Sequence, residues 1–136
     1  MDNARMRIVT ALGLLVAVVA ASACGGAGRK LTEDEIASCM KDSGKFSRVV
    51  QGGKGQIRYA GSQGGVQATY DSADRVLVNV LIGDDAGESS NLADNMEQSG
   101  SFVDVTRERN VVYAIPTEFE SSPNRSAASD ATKVCL

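Results

Sequence analysis

In Arg75-Val76-Leu77-Val78-Asn79-Val80-Leu81-Ile82, the side chains of Val76, Val78, Val80 and Ile82 line one face of an extended strand. Leu77 and Leu81 place apolar groups on the other face, so both sides of this strand are at least partly covered. It is therefore a central strand. Upstream, Val66, Ala68 and Tyr70 alternate with Gln67 and Thr69, which predicts a half-buried neighbour joined through the turn Asp71-Ser72-Ala73-Asp74. Phe46 to Gln51 reads as a strand and Ile57-Arg58-Tyr59 as a short one, set off by the turn Gly52-Gly53-Lys54-Gly55 and the loop Gly61-Ser62-Gln63-Gly64-Gly65. Downstream, a polar stretch from Gly83 leads to a helix over about Ser89 to Ser99, with Leu92, Ala93 and Met96 inward and Gly100 as its stop. Phe102 to Thr106 and Asn110 to Ile115 then predict a hairpin around Arg107-Glu108-Arg109, ended by Pro116.

Helices flank this β-rich centre. Thr32 and Glu35 form a capping box, Leu31 and Ile36 occupy the staple positions, and Glu33 and Asp34 suit the positive helix end. Ile36, Cys39 and Met40 share a face, and Gly44 ends the helix. Ser122-Pro123 predicts a last helix running to about Cys135, with Ala127, Ala131 and Val134 or Cys135 facing in. The order α-β-β-β-β-α-β-β-α specifies an α+β fold. Its expected form is an antiparallel sheet of about five or six strands with two or three helices packed on one face.

The N-terminal segment reads as an address. Arg5 and Arg7 open it, Ile8 to Ala20 is apolar apart from Thr10 and Gly13, and Ala21-Ser22-Ala23 leads to Cys24 and Gly25-Gly26. A basic start, a short apolar core and small residues make a secretory signal. Ile8 to Ala23 falls short of the about 20 residues of a spanning helix. Arg5-Met6-Arg7 is not a twin-arginine pair, which points to the general secretory route. Ser22-Ala23-Cys24 resembles the lipobox of bacterial lipoproteins, although Ala21 stands where leucine is usual. The leader followed by a small domain with cysteines near both ends is similar to small envelope lipoproteins of high-GC Gram-positive bacteria. The resemblance implies cleavage before Cys24, lipidation of that cysteine and anchoring on the outer face of the cell membrane. Ala21-Ser22-Ala23 also fits an ordinary A-x-A cleavage site, and the alternative is that Cys24 is left bare and the protein secreted. The expected organisation is a signal peptide over 1–23, a tether over 24–30 and one domain over 31–136.

Three cysteines, an odd number, stand in this exported chain. Lipidation of Cys24 leaves Cys39 and Cys135, which an oxidising compartment favours joining as a structural disulfide. The alternative is that both are small buried apolar groups in reduced form.

Composition narrows the function. The chain carries a net charge of −3 with scattered basic residues, which argues against nucleic-acid binding. Removal of the leader takes away Arg5, Arg7 and Asp2 and makes the remainder one unit more negative. Aromatics are few and tryptophan is absent, so the core must be built mainly from Val, Ile, Leu, Ala and Met. The chain contains no histidine, which excludes Ser-His-Asp and Cys-His catalysis, H-E-x-x-H zinc sites and imidazole proton transfer by its own residues.

The remaining motifs are partial. Ser38-Cys39-Met40-Lys41 matches S-x-x-K, but its companion motifs S-D-N and K-T-G are missing. Gly52-Gly53-Lys54-Gly55 lacks phosphate-loop spacing, and Asp84-Asp85-Ala86-Gly87-Glu88 lacks the alternating calcium ladder. Asp71 and Asp74 with Asp104, Glu108, Glu118 or Glu120 supply carboxylates for glycoside hydrolysis only if two of them converge in space. These observations give no catalytic residue, metal ligand or cofactor. The expectation is a non-enzymatic, monomeric binding domain for an envelope protein, peptidoglycan or a small ligand. The competing readings are a small cell-wall hydrolase using carboxylates alone and a structural envelope protein without a ligand.

Overall fold

The computed structural model describes residues 29–52, 62–70 and 73–136. Three helices and five strands follow in chain order among them: α1 (Glu33–Asp42), β1 (Phe46–Gln51), β2 (Gly64–Tyr70), β3 (Val76–Ile82), α2 (Ala86–Ser99), β4 (Phe102–Glu108), β5 (Val111–Pro116) and α3 (Arg125–Lys133). A single turn of 3-10 helix, Thr117–Phe119, precedes α3. The expected strand at Ile57-Arg58-Tyr59, residues 1–28 with Cys24, and Asp71 lie outside the described residues.

The strands form one antiparallel sheet in the order β1-β2-β3-β5-β4. β3 is its middle strand, as the two-sided apolar pattern requires. β4 runs parallel to β3 with β5 between them, so β3-α2-β4 is a split β-α-β unit whose gap β5 fills. That position explains why β5 is buried on both faces from Val111 to Ile115.

The core has two parts. On the first face, Val66, Ala68, Val76, Val78, Val80, Ile82, Val111, Tyr113 and Ile115 pack against Ile36 and Met40 of α1 and Ala128 and Ala131 of α3. On the second face, Leu81, Val112 and Ala114 pack against Leu92 and Met96 of α2. Two helices, α1 and α3, thus pack on one face of the α+β sheet as expected, and α2 covers the other. The cause is the apolar second side of β3 and β5: leaving Leu81 and Val112 in water would forfeit roughly 1.5–3 kcal/mol for each such side chain. Fully buried Tyr113 satisfies its hydroxyl on Ser129 Oγ at 3.1 Å.

Other local differences have identifiable causes. Gly64 and Gly65 belong to β2 and not to a loop: they pair with Ile82 and Leu81, and the Gly65 N–H donates to the Glu33 carboxylate at 3.3 Å. α2 begins earlier than Ser89 because Asp85 caps it, its carboxylate accepting from Glu88 N at 2.8 Å. Ser122-Pro123 does not start the last helix. Ser122 Oγ instead accepts from Asn124 N at 3.3 Å in a preceding turn, and Asn124 becomes the N-cap. The later start rotates the pattern, exposing Ala127 and burying Ala128, with Cys135 inward and Val134 exposed. The β4–β5 connection is shortened to Arg109-Asn110, with Arg109 at φ 55°.

The capping box of α1 is complete: Thr32 N donates to Glu35 Oε2 at 3.0 Å and Glu35 N to Thr32 Oγ1 at 3.3 Å. The hydrogen bond from the Thr32 backbone is the main cause that holds the Glu35 carboxyl below its usual value. The Thr32 hydroxyl and Arg29 guanidinium act in the same direction, and desolvation opposes them. A lowered folded-state pKa stabilises the fold above the ordinary carboxylate range, and that contribution is lost as pH falls through the lowered value. Glu35→Gln, which keeps an acceptor but cannot take up the proton, is expected to flatten the acid limb of stability. Urea midpoints measured from neutral to strongly acid pH check this; parallel acid limbs in parent and variant would contradict it.

Candidate functional site

The arrangement is organised by where the chain enters the domain. Asn110, only 4% exposed, accepts from Leu31 N through Oδ1 at 2.9 Å. Its Nδ2 donates to Leu31 O at 3.0 Å and to Gly83 O at 3.1 Å, and its own carbonyl accepts from Gly83 N at 2.7 Å. Asn110 therefore clamps the incoming chain to the end of the sheet where β3 finishes and β4 turns into β5. Lys30 Nζ pairs with Asp84 at 3.0 Å beside the clamp. Both partners are exposed, so this ion pair contributes little.

Cys39 and Cys135 are joined as a disulfide, with Cα atoms 5.6 Å apart and a sequence separation of 96. The bridge ties α1 to the end of α3 on the first face of the sheet. It also fixes the role of the S-x-x-K sequence, because Cys39 between Ser38 and Lys41 is a bridge half-cystine while both neighbours point to solvent.

Two of the surface hollows are lined by described residues. A hollow of about 520 Å³ is lined by Ala73, Asp74, Arg75, Glu118, Phe119, Ser121, Ser122 and Pro123. It lies at the start of β3 and beyond the end of β5, opposite the Asn110 clamp. At about 3.3 Å per residue, the length of β3 separates the two by roughly 20 Å. A second, of about 310 Å³, lies under the β4–β5 turn between Glu108, Arg109, Tyr113, Lys133 and Leu136.

The first hollow has braced walls. Asn124 occupies the N-cap position of α3 but makes no capping hydrogen bond; its Nδ2 donates to Asp74 O at 3.2 Å. Arg125 donates to Glu120 O through Nη1 at 2.6 Å and pairs with Asp104 through Nε at 2.8 Å. Asp104 sits in the β4 bulge at φ 54°, a conformation costly for a residue other than glycine. Two side chains at the start of α3 are thus committed to holding the loops on either side of the hollow.

Of the candidate carboxylates, Asp74 and Glu118 are brought to the same hollow, and the other described ones are not. Asp74 and Glu118 line one hollow, Glu108 lines the other, and Asp104 is engaged by Arg125. Asp74 and Glu118 are both exposed on turns. Asp84, Asp85 and Glu88 are spent on the Lys30 pair and the start of α2, where Glu88 also accepts from Asp84 N at 2.8 Å. Among the described residues no group of three or more Cys, Asp or Glu side chains is placed to hold a metal ion, and no helix is long and apolar enough to cross a membrane. Sequence reading named Asp74 and Glu118 but missed Arg75 and the serines beside them. The signal was present in Asn124-Arg125, polar residues with long reach at a helix start. No known protein family, curated protein or solved structure matches the chain.

Proposed function

We propose that this protein is an exported envelope lipoprotein, anchored through Cys24, whose domain binds a ligand and performs no chemistry. The observation that carries the reading is the Cys39–Cys135 disulfide. Such a bridge belongs to an oxidising compartment, and its formation leaves Cys24 as the unpaired third cysteine. Cys24 lies seven residues before the clamped Leu31, a reach of about 25 Å at full extension. The acyl chains of a lipidated cysteine, at about 0.8 kcal/mol per buried methylene, hold such a protein firmly. Blunted sheet edges support a monomer: β1 carries an irregularity between Phe46 and Arg48, and β4 carries the Asp104 bulge and charged residues.

In a bacterial host, Cys24→Ser is expected to move the protein from the membrane fraction to the soluble exported fraction while its thermal midpoint stays within about 1 °C of the parent. Fractionation with incorporation of labelled palmitate reads this out. A parent that incorporates no label, or a variant that stays with the membrane, would overturn the anchor.

A further inference from the structure

We propose that the hollow between residues 73–75 and 118–123 binds a small zwitterion, an amino acid or the free end of a short peptide carrying both charges. This rests on the reading of the domain as a binding module and names the ligand class.

The lining supplies both halves of the recognition. Arg75 presents a planar guanidinium suited to a carboxylate, and Glu118 presents a carboxylate suited to an ammonium group. Among the described residues, neither takes part in one of the ion pairs, which engage Arg29 with Glu35, Lys30 with Asp84 and Arg125 with Asp104. Ser121 and Ser122 add hydroxyl groups, and Phe119 and Pro123 give an apolar surface for a short side chain. The lining also carries Asp74, so it holds two carboxylates that suit an ammonium group and one guanidinium that suits a carboxylate. A ligand bearing both charges pairs with both signs, whereas one of single charge pairs with only one. The volume of about 520 Å³ lies within the range of small-molecule sites.

The bracing described above is the second line of support. Asn124 holds the Asp74 carbonyl, and Arg125 holds the Glu120 carbonyl. The hollow also sits at the end of the sheet away from the clamped Leu31, so an anchored domain presents it away from the lipid.

The test is a titration of the full chain, labelled for NMR and held in detergent micelles, with the zwitterionic dipeptide alanyl-alanine. The control is the same dipeptide acetylated and amidated. The dipeptide is expected to shift amide signals of Ala73, Asp74, Arg75 and Glu118 to Ser122 at millimolar concentration, and the capped form to leave them unmoved. Because exposed ion pairs are weak, Arg75→Gln and Glu118→Gln should each weaken binding up to about fivefold without altering the melt. No shift, equal shifts with the capped dipeptide, or shifts confined to the Arg109–Lys133 hollow would overturn the proposal. Appearance of free alanine together with the expected shifts would keep the site while overturning the non-catalytic reading, so the two fail separately.

Discussion

Cys135→Ser is expected to lower the stability of the domain by about 3–5 kcal/mol. The bridge closes a loop with a sequence separation of 96, and in the chain-entropy account a loop near that length is worth roughly 4.7 kcal/mol. Against total stabilities of about 5–15 kcal/mol, this loss leaves a marginal fold. A second effect adds to it. α3 buries only small residues, Ala128, Ala131 and Thr132, so little apolar area holds it to the sheet once the covalent tie is gone. The helix should therefore loosen first, seen as loss of amide-exchange protection from Ala128 to Cys135 while β3 and β5 stay protected. Denaturant melts of the parent with and without reductant, beside the variant, measure the effect. Equal midpoints for parent and variant under oxidising conditions would refute it.

The second large effect belongs to Asn110→Ala, with an expected cost of about 2–4 kcal/mol. The substitution strands the Gly83 and Leu31 carbonyls and the Leu31 N–H, and each buried polar group left without a partner costs about 1–3 kcal/mol. Some of that is recovered because Leu31 is only half-buried and water reaches it. Asn110→Asp separates the clamp from simple side-chain loss: its carboxylate accepts from Leu31 N but faces two carbonyl oxygens, so it should destabilise at least as much as alanine. If Asn110→Asp restores the midpoint lost by alanine, the donor half of the clamp carries no weight. The Leu31 amide should exchange faster in both variants.

The legible parts of the sequence were those where local chemistry and tertiary packing agree. The Thr32–Glu35 box, the αL glycines Gly44 and Gly100 that end α1 and α2, and the alternation through Val76 to Ile82 each have a local cause that the fold preserves. The face occupied by α2 was half-written in Leu77 and Leu81, which pointed to a covered second side without saying which helix covers it. Pairing, the content of the Gly64-Gly65 step, is non-local: these residues extend β2 because Ile82 and Leu81 lie opposite them. The end of the chain misled for a related reason. Ser122-Pro123 carries a helix-start signature, yet Ser122 is taken by a turn and Asn124 by Asp74 across the sheet end.

The candidate hollow was legible only as scattered charges. Asp74 and Glu118 are 44 positions apart, and only the adjacency of β3 and β5 brings their turns together. Arg75 looked like the edge of a strand.

The central claim is an oxidised domain carried on lipid at Cys24, and an intact mass of the protein taken from a bacterial envelope, with and without reduction, tests it most directly. The account predicts a chain beginning at Cys24 that carries a lipid adduct and gains two hydrogens on reduction. A mature chain with a bare Cys24 would contradict the anchor, and an unchanged mass on reduction would contradict the bridge.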